Sequence, residues 1–122
     1  MDIRGYQHIV AEWLHTYLKN PGEARGFRFT EEALELAQAV GVTREEALQL
    51  VDYVYGRPVG ETAQEVGGVM ITLAGLCAAK SVDMEAAAMI ELHRVHSPAV
   101  IAKIRAKEHD EPGRHALPKE AQ

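Results

Sequence analysis

The amino-acid sequence predicts an all-α protein, and three observations carry that prediction. Apolar residues recur at helical spacing, capping and breaking residues separate the apolar segments, and no segment alternates apolar and polar residues as a strand does. The first helix carries apolar residues from Ile3 to Leu18 and ends before Asn20-Pro21-Gly22. We expect the helices to form a compact bundle.

Capping residues predict where the other five helices begin and end. Thr30 is the expected N-cap of the second helix, and Gly41 ends that helix. Thr43 and Glu46 have the spacing of a capping box, which opens the third helix. The expected bounds of helices three to six are, in order, Thr43 and Gly56, Glu61 and Lys80, Asp83 and His96, and Ser97 and Glu108.

Length and composition describe one globular domain. The chain has 122 residues, of which 47% are hydrophobic and 25% are charged, enough for one core but not for two. We assign residues 1–109 to a single all-α domain. Residues 110–122 combine Pro112, Gly113 and Pro118 with mixed charges, and we expect an extended or disordered C-terminal tail there.

Net charge and hydropathy exclude two classes of partner. The formal net charge of -5 leaves no basic surplus to neutralise phosphates, so we expect no DNA or RNA binding. No apolar run follows a basic stretch near the first residues, so we expect no signal peptide. The apolar run from Val66 to Ala79 is shorter than the roughly 20 residues that span a bilayer. We therefore expect a cytoplasmic protein without a membrane partner.

The fourth predicted helix is apolar on nearly all sides, a composition typical of a buried helix. Cys77 lies within it and is expected to be an inert core thiol. The run from Ala86 to Ile90 adds further apolar surface. A chain of this size does not hide so much apolar surface easily, so we expect a homodimer or homotetramer; a closed monomeric bundle is the alternative.

Two groups of carboxylates lie on predicted helices. Glu31, Glu32 and Glu35 fall within an arc of roughly 100° on the second helix. Glu65 opens the apolar fourth helix, one turn after Glu61. Glutamates in a first helical turn are often only solvent-exposed. Clustered carboxylates nevertheless repel one another unless a cation neutralises them, and oxygen ligands suit Mg²⁺, which usually brings a phosphate with it.

These carboxylates resemble the Glu-Glu-x-x-Glu and Glu-x-x-Asp motifs of the MazG-like all-α nucleoside triphosphate pyrophosphohydrolases. The first motif is complete as Glu31-Glu32-Ala33-Leu34-Glu35, whereas Glu65-Val66-Gly67-Gly68 carries glycine in place of the aspartate. The neighbouring segments also resemble short phage and bacterial members of the family, and the likeness covers most of the chain up to Pro112. Those segments are Phe29–Leu36, Leu50–Pro58, Glu65–Met70, Glu91–Val95 and Lys103–Lys107.

The resemblance implies a bundle of the MazG-like type that hydrolyses a (deoxy)nucleoside triphosphate to the monophosphate and pyrophosphate, with two or more Mg²⁺ or Mn²⁺ ions. It implies that Glu32, Glu35 and Glu65 are metal ligands, and that Glu31 is a ligand or orients the attacking water. Some phage relatives convert dGTP to dGMP for the synthesis of 2-aminoadenine DNA, so dGTP is the suggested substrate. A phage-encoded enzyme would act in the host cytoplasm.

Gly68 leaves one ligand position of the family unfilled. Asp52 lies beside an apolar helical stripe and is the favoured substitute, while Glu61 is the other candidate. Either side chain is equally explained as an ordinary surface or boundary acid. A third alternative is that the position stays empty and admits water or substrate, or that activity has been lost.

Basic and aromatic residues are candidates for contacts with the nucleotide. Arg28 precedes the first glutamates, and Lys103, Arg105 and Lys107 lie on the last helix, although such residues are usually solvated. Trp13 could stack on a base as aromatic side chains do, but a lone Trp at helical spacing with Val10, Leu14 and Tyr17 is more often a core residue.

Two other functional classes compete with the hydrolase. The first is a catalytically idle helical oligomer that binds nucleotide or a protein partner, which the missing aspartate favours. The second is a di-iron carboxylate protein, because Glu12 and His15 match half of the Glu-x-x-His motif pair that such bundles require. No second Glu-x-x-His motif accompanies it.

Overall fold

The computed structural model of the chain describes residues 1–110 and Leu117, without the side chains of residues 108–110. This part of the chain contains six α-helices and no strand, which confirms the all-α prediction. The predicted C-terminal tail, 110–122, lies outside the described residues apart from Asp110 and Leu117. The helices are α1 (Ile3–Tyr17), α2 (Arg25–Ala39), α3 (Arg44–Tyr55), α4 (Thr62–Ala79), α5 (Met84–Val95) and α6 (Pro98–Asp110).

Most of the predicted capping residues bind the helix ends as expected. Thr43 and Glu46 form the capping box of α3, with reciprocal hydrogen bonds of 2.8 and 3.1 Å. The hydrogen bond from the Thr43 backbone N–H to the Glu46 carboxylate lowers the pKa of Glu46 below its ordinary value of 4.5. Asp83 accepts a hydrogen bond of 2.9 Å from Ala86 N, and Ser97 precedes Pro98 at the start of α6.

The predicted start of α2 is wrong. The helix begins at Arg25, five residues before Thr30, so Thr30 is not an N-cap. Its hydroxyl donates to Gly26 O, one turn earlier, at 2.9 Å. Ala24 adopts a left-handed φ of 73° immediately before the helix, and Arg28 N donates to Ala24 O. The change of chain direction that starts α2 therefore depends on the backbone conformation of Ala24. No side-chain cap at this position predicts it from the sequence.

The chain divides into two compact units, of which the first comprises Met1–Glu31 and Met89–Gln122. In this unit α1 contacts α6. Trp13 is half-buried, its indole Nε1 donates to Val95 O at 2.9 Å, and its ring lies 5.9 Å from that of Tyr17. Leu92, which is 8% exposed, is the buried residue of the described chain. Specific contacts thus define the interior of this unit.

The second unit, Glu32–Ala88, holds α3, α4 and the adjoining parts of α2 and α5. The prediction that α4 is a buried helix is wrong for the single chain, because none of its residues is buried. One stripe that includes Met70, Leu73 and Cys77 is half-buried, and most other positions are exposed. Cys77 is accordingly half-buried rather than a core thiol. An apolar composition indicates that a helix is stabilised by burial against another surface. It does not show that this surface belongs to the same chain.

The length of α4 agrees with the bounds expected from the sequence. The helix has 18 residues, and by length and hydropathy it could cross a membrane. It is the one such helix among the described residues. A single helix of this kind is weak evidence for a span, because core helices of proteins without any membrane segment pass the same criterion.

Candidate functional site

The acidic motif of α2 carries three carboxylates in two different environments. Glu31 is partly buried and its Oε1 lies 3.3 Å from Nη1 of Arg28, one turn earlier. Arg28 Nε is buried and has no hydrogen-bond partner in the described part of the chain. Glu32 and Glu35 are exposed and engage no side-chain partner among the described residues. One carboxylate of the motif is therefore neutralised locally, and two remain available to a cation.

The start of α4 separates the two candidate glutamates of that helix. Glu61 is the N-cap, and its carboxylate accepts hydrogen bonds from Ala63 N at 3.2 Å and Gln64 N at 2.9 Å. A carboxylate at a helix N-terminus is stabilised by those N–H groups and by the helix dipole. Glu61 is thereby engaged in capping, so of the two candidates for the position left by Gly68 only Asp52 has an unengaged carboxylate.

Glu65 lies one turn into α4, with an exposed side chain directed back toward the connector. A Cβ atom added to Gly60 would lie 2.7 Å from Glu65 Oε1, closer than carbon and oxygen atoms approach without bonding. Gly60 therefore leaves the space that the Glu65 carboxylate occupies. Sequence reasoning placed Gly60 in a turn and missed this role, because the approach depends on how the connector folds back on the helix.

Asp52 lies on α3 and is exposed, with no side-chain partner among the described residues. Its backbone carbonyl accepts the C-cap hydrogen bond from Gly56 N at 3.0 Å. The apolar stripe beside Asp52, which consists of Leu48, Val51 and Tyr55, is itself exposed, so Asp52 does not face an interior within the described chain. Its carboxylate remains free for a ligand role.

The structure does not gather these carboxylates into a closed cluster. Within the described residues, no group of three or more His, Cys, Asp and Glu side chains lies close enough to hold a metal ion. Glu32, Glu35, Asp52 and Glu65 belong to the same compact unit, while Glu31 ends the other. The donor set still suits a hard divalent cation, because every candidate ligand is a carboxylate oxygen.

The predicted nucleotide contacts have different surroundings. Lys103 and Lys107 are exposed on α6, and the guanidinium carbon of Arg105 lies 5.3 Å from the centroid of the Tyr17 ring. Trp13 is held by its hydrogen bond to a backbone carbonyl and by its contact with the Tyr17 ring. Packing within the first unit accounts for Trp13, and base stacking remains a prediction.

Histidine and glutamate contacts weaken the di-iron alternative. Glu12 Oε1 lies 3.0 Å from His8 Nε2, on the preceding turn of α1, rather than beside a second Glu-x-x-His motif. On α5 and the connector after it, His93 is exposed, and His96 Nδ1 is 2.7 Å from Leu92 O. These contacts are those of surface and helix-end histidines.

Comparisons with protein-family models, with curated proteins and with solved structures find no match for this chain.

Proposed function

We propose that the protein hydrolyses a (deoxy)nucleoside triphosphate to the monophosphate and pyrophosphate, with Mg²⁺ or Mn²⁺. The observation that carries the proposal is a set of unengaged carboxylates in one compact unit, Glu32 and Glu35 on α2 and Glu65 on α4. Their spacing resembles the acidic motifs of the MazG-like hydrolases. We assign residues 1–109 to the catalytic domain of such an enzyme.

In this proposal Glu32, Glu35, Glu65 and Asp52 hold the cations, two or more in number. Bound cations would neutralise the triphosphate and lower the pKa of a metal-bound water. Glu31 is a further ligand or orients the water that attacks the α-phosphorus. The new bond joins that water oxygen to the α-phosphorus, and the bond from the α-phosphorus to the bridging oxygen of pyrophosphate breaks. The proton released from water passes to a carboxylate or to solvent.

The open arrangement of the carboxylates is compatible with this proposal. Carboxylates that share a site repel one another when no cation is present. When two carboxylates approach without a counterion, their repulsion raises the free energy of the folded chain. A metal-free chain therefore favours separated side chains. On this view Glu32 and Glu35 on α2 and Glu65 on α4 would approach one another only when a bound cation neutralised their charges. Exposed Lys103 and Lys107, and Arg28 beside Glu31, are candidate contacts of the phosphates.

The catalytically idle helical oligomer is the second candidate. Two observations favour it: glycine at position 68 in place of the family's aspartate, and the lack of a three-carboxylate group within the described residues. Such a protein would bind a nucleotide or a protein partner without turnover. The two candidates differ in a single measurable property, the release of pyrophosphate.

Turnover of a nucleotide panel tests the reaction. The eight common ribo- and deoxynucleoside triphosphates are incubated with Mg²⁺ or Mn²⁺, and monophosphate, diphosphate, pyrophosphate and phosphate are resolved. We expect monophosphate plus pyrophosphate, with dGTP as the preferred substrate. Glu35→Gln and Glu65→Gln should each lower kcat by at least about 100-fold. Glu45→Gln, an exposed glutamate on α3, is the matched control and should leave kcat unchanged.

The result that contradicts the proposal is equally specific. Release of phosphate alone would indicate a phosphatase, and product formation that survives Glu35→Gln would remove the carboxylate from the mechanism. Absence of turnover, with metal-dependent nucleotide binding retained, would favour the catalytically idle oligomer or a substrate outside the panel.

Thermal stability tests the metal site independently of turnover. A ligand that binds only the folded state raises Tm, so Mg²⁺ or Mn²⁺ should raise the Tm of the wild-type protein. Glu35→Gln should raise the Tm of the metal-free protein, because one repelling charge is removed, and should abolish the gain from metal. A wild-type Tm that does not respond to either metal would contradict a carboxylate metal site.

The role of Gly60 can be tested without removing any charge. Gly60→Ala puts a Cβ 2.7 Å from the present position of Glu65 Oε1, so the end of that flexible side chain must shift. We expect about a tenfold loss of Mn²⁺ affinity, measured by calorimetry. Gly22→Ala is the matched control, because a Cβ at Gly22 meets nothing within 4 Å. Equal affinities for the two variants would show that Gly60 does not position Glu65.

A further inference from the structure

Tyr53 and Arg57 form a stacked pair where α3 passes into the connector toward α4. The guanidinium carbon of Arg57 lies 4.3 Å from the centroid of the Tyr53 ring, one turn earlier. Both side chains are exposed. No hydrogen bond or ion pair engages the Arg57 guanidinium within the described residues. The pair therefore presents a positive charge that this part of the chain does not neutralise.

Local contacts restrict both the backbone and the side chain of Arg57. Its backbone N–H donates to Val54 O at 3.1 Å, and the ring of Pro58 limits the conformations open to the residue before it. The Tyr53 ring covers one face of the planar guanidinium, whose N–H donors point outward from its edge. A guanidinium held in this way loses less conformational entropy on binding an anion than a free arginine side chain does.

The compact unit that contains Glu32, Glu35, Asp52 and Glu65 is strongly acidic. Residues 32–88 include nine Asp and Glu side chains but three Lys and Arg side chains. A triphosphate is itself an anion, and like charges repel it from this unit. Its binding there therefore requires cations, either from solution or from those three side chains.

Arg57 is the cation of this unit that lies nearest in the chain to the Glu65 carboxylate. The connector lies against Glu65 Oε1, because a Cβ added to Gly60 would be 2.7 Å from that atom. Gly60 follows Arg57 by three residues, so their Cα atoms are at most about 11 Å apart. Arg44 begins α3 and Lys80 follows the last residue of α4. Each of these two lies a helix length from the connector, about 18 Å for α3 and about 27 Å for α4.

We propose that Arg57 binds the β- and γ-phosphates of the nucleoside triphosphate, and that Tyr53 orients its guanidinium for this contact. This role rests on the proposed function, because the phosphates come within reach of Arg57 when they are held at Glu65. A planar guanidinium donates two parallel hydrogen bonds to phosphate oxygens. The β and γ groups carry most of the triphosphate charge and leave together as pyrophosphate, so a cation beside them offsets the charge that develops on the leaving group.

Arg57 differs in position from the phosphate contacts that the sequence suggests. Arg28, Lys103 and Lys107 belong to the other compact unit, whereas Arg57 shares its unit with Glu65. Sequence reasoning placed Arg57 in a turn and missed this role, because a single arginine before a proline carries no phosphate-binding pattern. Its stacking contact depends on the folded end of α3.

A nucleobase is the other group that a stacked arginine can hold, by stacking on the open face of the guanidinium. The charge of the unit favours phosphate, because stacking does not require a cation whereas an anion among nine acidic side chains does. Inorganic pyrophosphate contains no base, and dGMP contains no pyrophosphate group. Binding of these two probes therefore separates the two roles.

Calorimetry of the full chain with inorganic pyrophosphate and Mg²⁺ measures the contact without turnover. Arg57→Gln removes a charge-assisted pair of hydrogen bonds and should raise the Kd of pyrophosphate by about tenfold or more. Arg57→Lys keeps the charge without the planar fork and should raise it by about threefold. Arg44→Gln, at the opposite end of α3, is the matched control and should leave it unchanged. The Kd of dGMP should be the same for all four proteins.

Tyr53 is a positioning residue, and its variants give a signature of their own. Tyr53→Phe keeps the ring and should bind pyrophosphate as the wild type does. Tyr53→Leu removes the ring and should raise the Kd by about threefold. In an Arg57→Gln background the same change should have no further effect, because the ring acts through the guanidinium. Losses that add in the double variant would overturn the positioning role.

Chemical modification tests the same contact in the wild-type protein. Phenylglyoxal reacts with exposed arginine side chains, and Arg57 and Arg44 are both exposed. Peptide mass spectrometry follows each residue separately. With Mg²⁺ and pyrophosphate at about ten times its Kd, modification of Arg57 should slow by about tenfold and that of Arg44 should not change. Equal rates with and without pyrophosphate at Arg57 would contradict the contact.

Turnover and pyrophosphate binding can fail separately. Wild-type turnover together with unchanged pyrophosphate binding by Arg57→Gln would overturn the role of Arg57 and leave the hydrolase in place. Pyrophosphate binding that depends on Arg57, without turnover, would support the contact and count against hydrolysis. A wild type that binds no pyrophosphate, or an Arg57→Gln variant that loses dGMP but keeps pyrophosphate, would overturn the contact.

Discussion

The α1–α6 pair and helix α4 show that hydrophobicity and burial are separate properties of this chain. In the first unit, Trp13 binds a backbone carbonyl near the end of α5, and Leu92 is buried. In the second unit α4 is the most apolar helix, and none of its residues is buried. The difference lies in directed contacts. The indole N–H of Trp13 and its tilted contact with the Tyr17 ring determine which groups pack beside it. An apolar surface without such groups does not select one partner.

The largest expected effect is the loss of Trp13. Trp13→Ala removes a large half-buried ring and leaves Val95 O without its donor, so the free energy of unfolding should fall by about 3 kcal/mol. Trp13→Phe keeps most of the ring and removes only the hydrogen bond, and should cost about 1 kcal/mol. Urea unfolding followed by circular dichroism measures both.

The same measurement on α4 supplies the contrast. Ile71→Ala, studied at a concentration at which the chain is monomeric, should change the free energy of unfolding by less than about 0.5 kcal/mol, because Ile71 is exposed. A cost equal to that of Trp13→Ala would show that α4 is already packed in the single chain, and the comparison between the two regions would be lost.

An effect smaller than that of Trp13→Ala is expected where α2 and α4 end. Both helices stop at a residue with positive φ, Gly41 at 97° and Ser81 at 56°, followed by a valine whose N–H bonds back into the helix. Glycine adopts this conformation without cost, whereas serine adopts it at a cost in free energy. Ser81→Gly should therefore raise the free energy of unfolding by about 1 kcal/mol, and Gly41→Ser should lower it by a similar amount.

Thermal unfolding of the two variants distinguishes stability that comes from the helix itself from stability that comes from tertiary contacts. If α4 is held mainly by its own hydrogen bonds and caps, the gain from Ser81→Gly should appear in full. Equal stability of wild-type protein and Ser81→Gly would show that tertiary contacts, rather than backbone strain, fix the connector between α4 and α5.

The accuracy of the sequence predictions follows the range of the interactions concerned. The caps at Thr43, Asp83 and Ser97 depend on residues three positions away, and the structure confirms all three. The start of α2 depends on a left-handed residue, Ala24, whose type does not favour that conformation. No local pattern announces it.

In the candidate site too, the features that depend on local sequence were predicted, and those that depend on tertiary packing were not. The sequence identifies Glu32, Glu35 and Glu65 as carboxylates of one chemical type, and the structure places them within one unit and exposed. Their mutual distances depend on how α2 and α4 pack, which residue spacing within each helix does not determine. The roles of Glu61 in capping and of Gly60 in making room for Glu65 likewise emerge only from the folded connector.

The smallest expected effect concerns the exposed ion pair of α5, and it marks the lower limit of what a directed contact contributes here. Arg94 Nε donates to the Glu91 carboxylate at 2.9 Å, and this hydrogen bond lowers the pKa of Glu91 below its ordinary value of 4.5. A lowered folded-state pKa gives stability that is present above the unfolded value and is lost as pH falls through the folded value. Both side chains are more than half exposed, so solvent screening limits the contribution to about 0.5 kcal/mol or less.

The difference in unfolding free energy between wild type and Glu91→Gln should therefore be small at pH ~7, vanish near pH ~3 and shrink in about 1 M salt. A difference that persists at low pH would mean that Glu91 stabilises α5 through packing rather than through its charge.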